Sequence, residues 1–347
     1  MLIARNDLAR ILAATTRVVE ARNTIPILST VRLVAEDGTL TATATDLDIA
    51  VTASAPATGD MAACIDARLL SDIVKKLPAD AEIDIAVDGS SATLKAGRAR
   101  FKLPVLPVGD FPDMDGGAFA AEFEADMAAL FAPVKFAISN EEQRYYLGGV
   151  FLHVVNGKLV AVATDGHRLA RHIGAEIGVD FAGIIVPRKA SEIMPNGNVA
   201  VSVSDTRIRI VKDGAVIVSK LIDGTFPDYM RVIPTGNDKL VRADKAALAA
   251  AVDRVAVVSA THGSCVRMAI GGGAIALSVR GDAEASDSVP CDYDGEEIVI
   301  GFNSRYVTEA LAVLGNGDVT LALADGAPAL LTGSPDGVDI TLMPMRV

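Results

Sequence analysis

The densest run of recognition chemistry lies between Arg144 and Leu169. Arg144-Tyr145-Tyr146-Leu147 sets a cation beside two amphipathic rings, and Thr164-Asp165-Gly166-His167-Arg168-Leu169 gathers a carboxylate, a titratable ring and a second cation on one turn. Asp165 and His167 have the types of an acid/base pair, and Asp46 and Asp48 those of paired carboxylates on one strand face. Each pair would need a nucleophile or a metal beside it, and the neighbouring sequence supplies neither. Asp165-Gly166 is ordinary turn chemistry, and Asp46 and Asp48 suit a solvated strand end. Gly157-Lys158 lacks the upstream glycine of a phosphate-binding loop and is followed by leucine, and GxGxxG, HExxH, GxSxG and clustered Cys/His patterns are missing. The histidines, His153, His167, His172 and His262, are scattered, so neither a metal nor a cofactor is expected.

These groups need elements to carry them. Alternating apolar residues predict strands over 145–155 and 159–164, the second ending at the Asp-Gly turn. In such a strand Tyr145 and Tyr146 point to opposite faces, one to the core and one outward, where a ring can stack on a base. Upstream, Leu8, Ile11, Leu12, Thr15, Val18 and Val19 recur at helical spacing, which predicts a helix over 7–21 capped by Asp7, with Arg10 and Arg17 on its outer face. A second helix follows Asp66, with Leu69, Leu70, Ile73, Val74 and Leu77 on its apolar face and Pro78 ending it. Glu36-Asp37-Gly38 between two alternating runs predicts a hairpin. Pro104, Pro107, Gly109, Pro112, Gly116 and Gly117 then crowd a linker.

The same plan returns twice. Helices open at Asp126 and Asp244, a further helix is suggested after Pro187, and a last one runs over 303–314. Thr45-Asp46 and Thr164-Asp165 stand 119 residues apart, as do the first two helix starts. A threefold repeat of helix, strands, helix, strands predicts an α+β chain of three domains, 1–118, 119–240 and 241–347, each with its own core. Apolar residues make up 50% of the chain and aromatics only 4%, so those cores must be built from Ala, Val, Ile and Leu.

Three cysteines without CxxC spacing suit a reducing compartment, and the first residues lack the pattern of a secretory leader, so a cytoplasmic protein is expected. The net charge of −12 opposes nucleic acid at long range. Its distribution does not: the helical segments sum to +4, which leaves −16 for strands and loops. Helices sharing one side would give that side a field able to attract a polyanion.

Seven segments in order resemble the bacterial β sliding clamp family, the processivity subunits of DNA polymerase III. They are Ile25-Pro26-Ile27-Leu28, Arg144-Tyr145-Tyr146-Leu147, Ala163 through Leu169, Val186-Pro187-Arg188-Lys189, Phe226-Pro227-Asp228-Tyr229, Gly301-Phe302-Asn303 and Met343-Pro344-Met345-Arg346-Val347. The resemblance implies a non-enzymatic, head-to-tail homodimeric ring around duplex DNA, with two helices of each domain lining the hole. Its implied partners are the polymerase III catalytic subunit, a clamp loader and other proteins with a clamp-binding peptide. It further implies DNA contacts at Arg22, Tyr145, Tyr146, Arg188 and Lys189, and a dimer contact of Phe101 and Leu103 with Val257 and Val258 of the next subunit. The implied partner groove comprises Leu147, Thr164, Gly166, His167, Arg168, Leu169, Pro227, Arg231, Val232, Asn303, Tyr306, Met343, Pro344, Met345 and Arg346. Departures from the family pattern are Glu141, Met230, the small Ala327, and Pro195-Asn196-Gly197, which should cut short the helix after Lys189. A divergent accessory or mobile-element clamp is the alternative within the family, and an enzyme using Asp165, His167 and Arg168 is the alternative outside it.

Overall fold

The computed structural model describes residues 1–114, 117–258, 265–280 and 283–346; His262, Gly116 and Val347 lie outside these. Six α-helices among them punctuate a fold made mostly of strands: α1 (Arg5–Thr15), α2 (Ala67–Lys76), α3 (Met127–Phe131), α4 (Arg188–Glu192), α5 (Lys245–Ala256) and α6 (Ser304–Val313). Four begin at the side-chain caps their sequences promise. Asp66 accepts from Leu69 N at 2.7 Å, Asp126 from Ala129 N at 2.9 Å, Asp244 from Ala247 N at 2.7 Å, and Asn303 from Arg305 N at 3.0 Å.

The first helix differs from its prediction at both ends. It starts after Ala4, which offers no side-chain cap, and Asp7 sits inside the first turn, where a carboxylate still favours the helix dipole. It stops at Thr15 because Thr15 and Thr16 turn their hydroxyls back onto Ile11 O at 2.9 Å and Leu12 O at 2.7 Å, and β-branched Val18 and Val19 follow. Val18 and Val19 are nonetheless buried, so their spacing recorded burial without recording helix. In α2, Leu69 is 45% exposed and does not join the buried face of Leu70, Ile73 and Val74. The shortening expected after Lys189 is present: α4 has five residues, and Gly197 takes φ +77° just beyond it.

Two compact units result, one of residues 1–125 with 192–221, the other of 126–191 with 222–347. Each holds a sheet of twelve described strands. In the first the order is Leu2–Ala4, Glu82–Asp88, Ser91–Ala96, Ala99–Leu106, Met61–Asp66, Thr30–Glu36, Thr39–Thr45, Ile49–Pro56, Ala215–Lys220, Arg207–Lys212, Val199–Val203, Ala121–Ala125. In the second it is Ile184–Pro187, Gly149–Val155, Lys158–Thr164, Arg168–Glu176, Val338–Leu342, Ala329–Thr332, Asp318–Leu323, Lys239–Asp244, Glu284–Asp292, Ala274–Arg280, Cys265–Gly271, Ile298–Asn303. The repeats therefore share sheets instead of standing apart: Val51 pairs with Ile217, and Ala170 with Ile340. Every strand pairing among the described residues is antiparallel, in keeping with short turns such as Asp37-Gly38, where φ of 50° and 77° suits the twist of a two-residue hairpin. The cores are aliphatic, with Phe131 and Phe302 the aromatic rings among the largest fully buried side chains.

Candidate functional site

The turn after strand Lys158–Thr164 is built from its own short side chains. Thr164 Oγ1 donates to Arg168 O at 2.7 Å and accepts from Gly166 N at 3.1 Å, while Asp165 Oδ1 accepts from His167 N at 2.9 Å and Arg168 N at 3.0 Å. Thr45 and Asp46 make the same bonds to Ile49 O, Leu47 N, Asp48 N and Ile49 N, so the repeat read at a spacing of 119 residues is a repeat of hydrogen bonding. Both aspartates are thereby turn formers. Asp165 accepts from the His167 backbone N–H, a bond that shapes the turn.

Arg168, 6% exposed, ties this turn to its surroundings. Its Nε meets Asp165 Oδ2 at 3.1 Å, its Nη2 donates to Phe136 O at 2.6 Å, and its Nη1 pairs with Glu309 on α6. Its guanidinium carbon stands 4.9 Å from the Phe136 ring centroid and 4.4 Å from that of Tyr306. Arg305 holds Glu309 from the other side at 2.8 Å. Burial raises the Glu309 carboxyl, and the bonds and charges of Arg305 and Arg168 outweigh it, so the group rests below the ordinary carboxylate value.

Beside this tie opens a groove of about 260 Å³. Its apolar lining is Leu147, Leu169, Pro227, Val232 and Met343 with the rings of Tyr146 and Tyr229, and its polar members are Arg144, Thr164, Gly166, Arg168 and Thr341. Such a concave, largely apolar site with few polar groups suits a short peptide or a small molecule. Leu147, Phe226, Tyr229 and Ile233 pack on Val160, Val162 and Leu169, so the groove is the open edge of a core cluster. Thr341 Oγ1 is buried and has no hydrogen-bond partner among the described residues.

The segment entering the groove is not the strand expected. Residues Glu142–Leu147 form a 3-10 helix, kinked at Arg144 with φ −105° and ψ 50°, and the strand begins only at Gly149. Gly149 itself lies against the paired strand, where a Cβ would collide with Val186 O. The two tyrosines thus do not alternate across a sheet. Their rings meet edge to face at 5.8 Å, with Tyr145 58% exposed and Tyr146 turned to the groove. Arg144 is clamped by Glu141 at 2.7 Å and 2.5 Å, and this raises the arginine's affinity for its proton while holding Glu141 below the usual carboxylate range. The Arg144 Nη1 lies where a Cβ on Gly166 would press on it, so that it would have to shift, and Gly166 takes φ +89°, a conformation that favours glycine.

The remaining expected residues spread around this centre. His167 is exposed at the rim, its ring 6.3 Å from Tyr306 and at 25° to it. Asn303 caps α6, and Arg231 is exposed and paired with Asp228 at 2.9 Å. The chain end crosses as a strap, Met343 N donating to His167 O at 3.0 Å and Met345 N to Gly301 O at 2.8 Å, and Pro344, Met345 and Arg346 border a separate depression with Ile298, Val299 and Ile300. Arg22 is exposed beyond α1; Arg188 opens α4 and donates to Ile138 O at 2.8 Å, and Lys189 follows it, half-buried. Leu103 is 4% exposed, Phe101 is half-buried on the same strand, Val257 is 79% exposed after α5, and Val258 is half-buried. The expected list omitted Arg144, Tyr229 and Thr341. Two of these stood inside the quoted motifs, and Thr341 carries only the alternation of its strand as a signal.

No helix among the described residues is long and apolar enough to cross a membrane. Residues 1–115, 124–228 and 230–346 match, in turn, the N-terminal, central and C-terminal domains of the DNA polymerase III beta subunit. The β sliding clamp of Caulobacter vibrioides is 42% identical, with 99% of each chain covered, and that of Pseudomonas aeruginosa is 36% identical with the same coverage. The crystal structure of the Bartonella birtlesii clamp bound to griselimycin superposes with a TM-score of 0.95 at 39% identity, covering 100% of this chain and 99% of that one. A Caulobacter crescentus clamp with polyethylene glycol at a putative β-motif tethering region gives 0.94 at 40%, covering 100% and 98%. Likeness at this level along the whole chain leaves the accessory-clamp alternative without support, and the three-domain α+β clamp architecture is that of the relatives. The chain belongs to the DNA polymerase III beta subunit family, the bacterial β sliding clamps.

Proposed function

We propose that this chain is a DNA sliding clamp, a non-enzymatic processivity factor that closes as a head-to-tail homodimer around duplex DNA and tethers the polymerase III catalytic subunit. The observation that carries the reading is the match of all three family domains in order, over residues 1–115, 124–228 and 230–346. Domain boundaries at 118/119 and 240/241 belong to the same proposal. The clamp loader and other proteins with a clamp-binding peptide are the further partners.

In this reading Arg22, Tyr145, Arg188 and Lys189 touch DNA phosphates without reading bases, and Tyr146 serves the groove more than the duplex, since its ring lines the groove. Phe101 and Leu103 of one subunit meet Val257 and Val258 of the next. The groove takes an extended peptide with an apolar end between Leu169, Val232 and Met343, and the rim residues His167, Asn303, Tyr306 and Pro344 to Arg346 receive its other half. Topological linkage reconciles the net charge of −12 with DNA, because a closed ring needs only weak, salt-sensitive phosphate contacts and weak contacts let it slide.

Loading onto a nicked circular plasmid with a clamp loader tests this. Retention through gel filtration, followed by release on linearisation, is the expected result. Equal loss from circular and linear DNA, together with a monomer by light scattering at micromolar concentration, would overturn it.

A further inference from the structure

Beneath the groove lies a histidine that the clamp reading leaves unused. His153 stands on strand Gly149–Val155, half-buried, with Nε2 3.0 Å from the hydroxyl of Tyr229. Its ring stacks on Phe151 at 4.7 Å, and Phe151 stacks on Phe226 at 4.7 Å and 3°. Gly183 makes room for the stack, since a Cβ there would run into the Phe151 ring. Tyr229 is 5% exposed and forms part of the groove itself.

We propose that His153 is a positioning residue for the groove, accepting the Tyr229 hydroxyl proton at Nε2 and so fixing the phenol against which a partner peptide packs. The inference rests on the peptide-groove reading above. The direction of the bond follows from the other neighbour of the hydroxyl. The Arg171 guanidinium lies near enough to act on Tyr229 through its charge, and it carries donors only, so it cannot take the tyrosine proton, which is left for the imidazole. The charged groups around the pair are Arg171 itself, Asp339 bound to Arg171 at 2.9 Å, and Asp228 next to Tyr229, which is paired with Arg231. A protonated His153 would turn an N–H toward the hydroxyl to which it now offers a lone pair, near the Arg171 charge. Burial opposes that protonation and lowers the histidine below its ordinary 6.5, so the neutral ring persists at physiological pH and peptide affinity falls only on the acid side.

The test is a fluorescence-anisotropy titration of a labelled peptide containing glutamine and ending in leucine-phenylalanine, run from pH 8 to pH 5. Wild type should bind at pH 7.5 and weaken below pH 6.5. His153→Leu and Tyr229→Phe should each weaken binding about fivefold, the worth of one net hydrogen bond, and the double variant should lose no more than either. His153→Gln keeps an acceptor that does not titrate; it should restore most of the affinity and remove the acid-side slope due to His153. If wild type binds while His153→Leu and His153→Gln bind equally well with the wild-type pH profile, the positioning role is wrong and the groove reading stands. If wild type takes no peptide at all, the groove reading falls and the inference with it.

Discussion

Arg168→Ala is the sharpest perturbation the site offers, because one side chain holds the turn at Asp165, the backbone at Phe136 and the helix α6 through Glu309. Removing one partner of a buried ion pair costs about 3–5 kcal/mol, mostly because the remaining charge is stranded. Here the remaining charges are partly rescued. Glu309 is 31% exposed and keeps Arg305 at 2.8 Å, and Asp165 keeps two backbone donors, so the lower end, about 3 kcal/mol, applies. At about 2–4 °C per kcal/mol, the melting temperature should fall by about 6–12 °C in differential scanning calorimetry. Arg168→Met with Glu309→Gln removes both charges at similar volume and should recover much of the loss. The acid limb gives a second reading. Glu309 is held below its ordinary 4.5 when folded, so its contribution is present above that value and vanishes as pH drops through the lower, folded one. Arg168→Met should flatten that decline. A melting temperature unchanged by Arg168→Ala, with peptide binding intact, would refute the idea that this arginine assembles the groove.

Three further outcomes follow from local geometry. Gly166→Ala must leave φ +89° and displace the Arg144 guanidinium, so it should destabilise the chain by about 1–2 kcal/mol in urea unfolding and weaken peptide binding more than a rim substitution does. Asp66→Ala deprives Leu69 N of its 2.7 Å partner and should cost about 1 kcal/mol by the same assay. Cys64 is fully buried and burial raises its thiol pKa, whereas Cys265 and Cys291 are only partly covered; alkylation followed by mass spectrometry should mark the latter two in native protein and Cys64 only after unfolding.

What the sequence made legible was chemistry closed within a few residues. Asp66, Asp126, Asp244 and Asn303 announced helix starts because the cap bond spans two or three positions, and the Thr-Asp turn announced its own repeat for the same reason. Asp7 failed as a cap because Ala4, two residues before Asn6, had already begun the helix under the pull of Leu8 and Ile11 toward the core. The strand predicted through Tyr145 failed because Glu142–Leu147 wind into a 3-10 helix, closed by Gly148 N donating to Tyr145 O at 2.8 Å, before the strand begins at Gly149. Thr341 and Tyr229 were overlooked as groove residues because long-range packing puts them there. Thr341 reaches the groove when strand Val338–Leu342 pairs with strand Arg168–Glu176, and Tyr229 when its 3-10 turn packs on Val160, Val162 and Leu169.

The tie made by Arg168 also bears on how partners share a clamp. A groove whose walls are set by buried ion pairs and stacked rings is in place before any peptide arrives, so the ordering entropy of binding falls on the peptide alone. A handful of residues in a flexible tail then suffices for recognition, and affinity is set by how few rotamers that tail must give up. Under the proposed function, occupancy is a matter of local concentration, with one peptide displaced by another through mass action and no rearrangement of the groove required.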